Sequence, residues 1–196
     1  MNEHVINKYI TSIRLNSYGD LESYKSNLLL SKHMYIPLAI LEVSIRNAVD
    51  VHFSNFYGNG WLINGASFLQ RDAIRKVAEA KARIQEREEV LTKEKLVAEL
   101  SFGFWTSLFQ QPYDKNLRFS DLKQIFSHLP KKEEKNIDRK YISSKLNLIR
   151  AFRNRIFHYE KVIEKEKYSS IEADVFEILK FLHAELCAYA KDINEQ

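Results

Sequence analysis

Five glycines and three prolines are all that punctuate 196 residues, and that scarcity limits the fold before any motif is read. Turns and sheet corners are built largely from glycine and proline, so a chain this poor in both runs in long helices. The apolar spacing agrees. Val5, Ile6, Tyr9, Ile10 and Ile13 recur every three or four residues, which is the period of an amphipathic helix. No alternation of period two lasts long enough to make a strand. The spacing predicts a helix over 5–13 and a long segment over 21–56, with Asp20 as its N-cap and Pro37 kinking or splitting it. Further helices are expected over 72–91, 120–129, 136–162 and 168–192, with a nearly all-apolar core run over 96–109. Tyr57-Gly58-Asn59-Gly60-Trp61 reads as a helix-ending turn with an aromatic plug. Neither a repeat nor a linker divides the chain, so residues 1–196 are expected to form one all-α domain, a bundle of long antiparallel helices with shorter ones inserted.

Hydrophobic residues make up 45% of the chain, enough for a core, and the net charge of +4 is a mild basic bias compatible with a nucleic-acid partner. The single cysteine, Cys187, excludes an intrachain disulfide or a cysteine zinc cage, and its flanks suggest a packed thiol on a helix face. No run approaches the roughly 18 consecutive apolar residues of a membrane span. The N-terminus lacks a basic segment followed by an apolar one, so the expected location is the cytoplasm with no membrane partner.

One stretch does not fit a plain core helix. Leu148-Ile149-Arg150-Ala151-Phe152-Arg153-Asn154-Arg155-Ile156-Phe157-His158-Tyr159 sets three arginines, an asparagine and a histidine inside an apolar helical run. Burying so many polar groups without partners costs several kcal/mol, so they are either solvated or used. On an ideal helix Ile142, Leu148, Ile149, Phe152, Ile156 and Tyr159 fall on one arc. Arg150, Asn154 and His158, successive i,i+4 neighbours, share the opposite side with Asn147 and Lys161 nearby. Arg153 borders that group, about 140° from His158, too far for both to clamp one atom from a single chain. A second copy related by a two-fold axis would bring both kinds of residue into one cleft.

The residue types suit RNA cleavage. Arginine holds a scissile phosphate and stabilises its developing charge. Imidazole, which titrates near neutral pH, takes the 2′-hydroxyl proton or protonates the leaving oxygen. Asparagine orients the imidazole or the phosphate. The attacking group is already on the substrate, so neither a metal nor a cofactor is called for.

Arg153-Asn154-Arg155-Ile156-Phe157-His158 resembles the arginine–four-to-six residues–histidine motif of the HEPN superfamily. Leu41-Glu42-Val43-Ser44-Ile45-Arg46-Asn47-Ala48-Val49-Asp50 and Ala98-Glu99-Leu100-Ser101-Phe102-Gly103-Phe104-Trp105 are similar to recurrent blocks of the Abi-like abortive-infection family (AbiD/AbiF type). The three blocks occur in that family's order and span most of the chain. The resemblance implies an all-α HEPN fold and a homodimer with the motif helices facing each other. It also implies metal-independent endoribonuclease activity in phage defence or a toxin–antitoxin pair, with a small RNA or a protein as the antitoxin. Carried over, Arg153 and His158 are the catalytic pair and Asn154 the supporting polar residue; Arg150 and Lys161, on or near the projected polar face, are candidate substrate contacts. In relatives silenced by tyrosine modification the tyrosine stands where this chain has Glu160, one residue beyond Tyr159.

Glu42, Arg46 and Asn47 admit two readings. Either they line the same cleft, with Arg46 as a second phosphate ligand, or Glu42 and Arg46 form a buried i,i+4 pair that fixes helix register. His52 is expected to pack against the Tyr57/Trp61 turn. Two rival functions use the same residues: a non-catalytic RNA-binding HEPN module and a helical interaction domain.

Overall fold

The computed structural model describes residues 2–131 and 133–195, leaving Met1, Lys132 and Gln196 outside it. It is all-α, and among the described residues no strand occurs. A short turn α1 (Glu3–Val5) and a π-helical turn (Ile6–Ile10) lead into α2 (Ser12–Tyr18), and then into the 37-residue α3 (Leu21–Tyr57). There follow α4 (Arg71–Glu86), α5 (Lys93–Glu99), α6 (Phe102–Ser107), α7 (Phe119–Ile125), α8 (Arg139–Phe157), α9 (Ile171–Leu182) and α10 (Ala184–Asn194).

The centre of the bundle is α3. Its N-cap Asp20 accepts from the Ser23 amide at 2.6 Å, and Gly58 ends it at φ 81°. Met34, Leu38, Leu41, Ile45, Val49 and Phe53 repeat at helical spacing along one face, and all are buried. Against that helix pack α6, α7, α8, α9 and α10. Pro37 neither splits nor ends it. An interior proline costs about 3 kcal/mol, and burial of the adjacent Met34, Leu38 and Leu41, at about 2 kcal/mol per side chain, outweighs that. One window of 18 residues in this helix has mean hydropathy 1.4, enough by length and composition to cross a bilayer. That averaged signal escapes a count of consecutive apolar residues.

The run over 96–109 is core as expected, with Phe102, Phe104, Trp105, Leu108 and Phe109 all buried. It is two helices rather than one, because Leu100 turns extended and Ser101 Oγ caps the Phe104 amide at 3.3 Å. The last helix is likewise broken, at His183, which is extended and accepts the Glu185 amide on Nδ1 at 3.2 Å. The first helix is broken at Thr11, φ 73°. At the far end of α3, buried Asp50 accepts from Trp61 Nε1 at 2.8 Å and pairs with Lys93 at 2.9 Å, tying the aromatic turn to α5. Cys187 is buried, as its flanks suggested.

His52 does not pack on the Tyr57/Trp61 turn. It is buried beside Phe53 and Phe56 and faces Asp121 of α7 at 4.0 Å, with its Nδ1 unpartnered among the described residues. Burial pushes the imidazole below its ordinary value near 6.5, and Asp121 and Gln124 oppose this only in part. The unfolded chain therefore binds a proton that the folded chain refuses. Stability is full above the unfolded pKa and is lost as pH falls from there through the folded pKa. In urea titrations between about pH 7 and pH 5, His52→Gln should lose less stability than the parent; parallel profiles would show that His52 is not the group responsible.

Candidate functional site

The motif helix starts at Asp138, whose Oδ1 accepts the Tyr141 amide at 2.7 Å, and buries Ile142, Leu146, Ile149, Phe152 and Ile156. It ends five residues earlier than the spacing predicted. Tyr159 N–H donates to the Ile156 carbonyl at 3.0 Å and Glu160 N–H to Arg155 at 2.8 Å, while Tyr159 takes φ 58°. These two bonds and the left-handed residue form a Schellman cap, with tyrosine at the position glycine usually holds. Tyr159, placed by the helical projection among the core residues, is instead 69% exposed.

The chain beyond the cap is strapped to the start of α3. Asn27 is buried; its Oδ1 accepts from Val162 N–H at 2.7 Å and Ile163 N–H at 3.2 Å, and its Nδ2 donates to the Glu160 carbonyl at 3.3 Å. The Tyr159 carbonyl accepts from Arg14 and from Tyr18 Oη, the latter at 3.3 Å. Sequence reading missed all three side chains. The available signal was Asn27 itself, a short polar side chain and poor helix former set within a helix.

His158 occupies the cap position, φ −96° and ψ 11°, so it has left the helix on which the projection placed it. Its ring is exposed and makes no side-chain hydrogen bond among the described residues. Asn154, one turn back, and Asn47 are also exposed. Arg150 and Arg153 lean toward different neighbours. Arg150 lies over Gly103 of α6, its Cδ and Nη1 each 3.6 Å from where a glycine Cβ would stand. A Cβ at 103 would meet the arginine in ordinary van der Waals contact. Arg153 pairs with Glu42 of α3 at 3.0 Å and lies 4.4 Å from the centre of the Phe157 ring.

The Glu42–Arg46 pair entertained from sequence is therefore not formed, because the carboxylate reaches across to the motif helix. Arg46, one turn along α3, has its Nε buried without a partner among the described residues, as does Arg153. Lys161 pairs with Glu164 and lies 5.9 Å from the centre of the Tyr18 ring. No hydrogen bond joins Arg153 to His158 among the described residues. Arg46, Arg150 and Arg153 are thus partly exposed guanidiniums on adjoining helices, with Glu42 the carboxylate paired to one of them. Such a surface suits a polyanion, because a phosphate can meet a guanidinium through two parallel hydrogen bonds.

The Glu42–Arg153 pair is partly buried on both sides and joins two helices, so it is worth more than a surface pair and less than a fully buried one. A double-mutant cycle with Glu42→Gln and Arg153→Met, read by urea denaturation, should give a coupling of about 1–2 kcal/mol; strictly additive losses would contradict the contact. No family model matches the chain, and no curated protein or solved structure does either.

Proposed function

We propose that the protein is a metal-independent endoribonuclease of the HEPN type that cuts RNA at a site shared by two copies of the chain. Its setting on this reading is phage defence by abortive infection, or the toxin half of a toxin–antitoxin pair, held in check by a small RNA or a protein. The observation that carries the reading is His158: an exposed imidazole with no side-chain hydrogen bond among the described residues, held at the pinned end of the helix that carries Arg150 and Arg153.

In this scheme His158 takes the proton from a ribose 2′-hydroxyl or gives one to the departing 5′ oxygen. The 2′ oxygen bonds to phosphorus as the bond to the 5′ oxygen breaks, leaving a 2′,3′-cyclic phosphate and a 5′-hydroxyl. Arg153 and Arg150 hold the phosphate and stabilise its charge, with Arg46 as a further ligand. Asn154 orients the imidazole or the phosphate, and Asn47 and Lys161 contact the flanking strand.

What supports a second copy is that Arg153 points to α3 while His158 stands off the end of α8. A surface for that copy is at hand: Ala39, Val43 and Val51 are exposed on α3.

RNA binding without cleavage is a second reading, favoured by one contact: the Arg153 guanidinium is already engaged by Glu42. Incubation of the purified protein with single-stranded RNA in EDTA separates the two. We expect cleavage to a cyclic phosphate, reduced at least 100-fold by His158→Ala with the circular dichroism spectrum unchanged. Equal cutting by the variant would remove His158 from the mechanism, and salt-sensitive binding with no cutting would establish the second reading.

A further inference from the structure

Phe157 and Tyr159, the two neighbours of His158 in the chain, line a groove of about 880 Å³ between the first half of α3 and the end of α10. That volume falls in the range of pockets that bury small ligands. Tyr35 lines it too, and its ring lies 5.7 Å from that of Phe157 at an interplanar angle of 31°. Leu28, Ile36 and Ile193 supply further apolar lining.

Tyr35 is 56% exposed and Tyr159 69%, so three aromatic rings stand in water at one mouth. Lys32 lines the groove, and so does His33, whose Nε2 pairs with the Glu172 carboxylate of α9 at 2.7 Å. The lining is thus aromatic with one lysine, Lys32, at its edge. Lys32 can meet an anion, and exposed rings admit a flat π system.

Tyr159 is also held there against the local backbone preference. Its φ of 58° is one that glycine adopts freely and tyrosine does not. Glu88 sits in the same way after α4, at φ 56°, so the dihedral alone argues nothing. What distinguishes Tyr159 is where its ring stands: in a groove with two other aromatic rings, next in sequence to the histidine.

We infer that this groove is a base-stacking subsite for single-stranded RNA. It takes a nucleotide adjacent to the phosphate presented to His158, stacks the base on Tyr35, Phe157 and Tyr159, and sets Lys32 against a neighbouring phosphate. The inference rests on the reading of this site as one that handles RNA. Stacking is tolerant of base identity, because every base has a π face, so the subsite selects unpaired strand over duplex rather than one sequence.

The test is fluorescence polarisation with His158→Ala protein, which separates binding from cutting. The probes are a short fluorescein-labelled single-stranded RNA and the same strand carrying abasic nucleotides. Tyr35→Ala and Tyr159→Gly, each added to the His158→Ala protein, should weaken binding of the intact strand about ten-fold. Neither should change binding of the abasic strand, and Tyr159→Phe should bind like the parent. Tyr159→Gly suits the backbone, so its melting temperature should not fall and its loss of binding is not a loss of fold. Unchanged binding of the intact strand by both tyrosine variants overturns the subsite, as does an equal loss on the abasic strand or no binding of RNA at all. Cleavage by the wild-type chain is scored separately. Tyrosine-dependent binding without cutting keeps the subsite and rejects the nuclease; cutting without tyrosine dependence does the reverse.

Discussion

Asn27 binds three main-chain groups beyond the end of α8, and the geometry of the candidate site depends on that clamp. One buried amide satisfies two amide N–H groups and a carbonyl that would otherwise face the side of α3 unpaired. Leaving such a group unsatisfied costs about 1–3 kcal/mol. Because the chain after the cap is fixed, Tyr159 can be held at positive φ and His158 can stand off the helix without fraying. The Arg14 and Tyr18 contacts to the Tyr159 carbonyl anchor the same point from α2. The Glu42–Arg153 pair joins α3 to α8 about four turns further along α3, so the motif segment is tied to that helix by an amide strap near its start and an ion pair near its middle.

That arrangement divides the polar residues of the motif by direction. Arg150 is laid across Gly103, Arg153 is turned to Glu42, Asn154 stays in solvent and His158 projects beyond the helix. Any phosphate that Arg153 is to hold must share the guanidinium with Glu42 or displace it. A planar guanidinium with five donors can serve both, and under the proposed function Glu42 then limits how freely the arginine swings. The Nε atoms of Arg46 and Arg153, buried and unpartnered among the described residues, are donors already out of water.

Much of the fold is legible in the sequence. The shortage of glycine and proline predicts an all-α chain, the apolar spacing picks out the buried face of α8, and the aromatic run over 96–109 is core. Helix ends are less legible, because the signals that usually mark them are absent. Tyrosine and glutamate stand where glycine would announce the caps of α8 and α4, and the breaks at Leu100 and His183 carry neither glycine nor proline. Pro37 misleads in the other direction, since burial around it outweighs its local cost. The residues of the candidate site are visible as types, but their partners are not. Glu42 has an arginine four residues away in sequence and chooses one more than a hundred residues away, a choice made by packing of α3 on α8. Asn27 offered only its unsuitability for a helix interior.

The central claim is that each copy supplies half of a site. Mixing Arg153→Ala protein with His158→Ala protein under conditions that exchange subunits tests it directly. In a shared site, the mixed dimer keeps one cleft with an intact Arg153 from one chain and an intact His158 from the other. RNA cleavage should therefore return on mixing two inactive proteins. Exchange demonstrated by mass spectrometry with no return of cleavage would contradict the account, because it would place both residues of each site in the same chain.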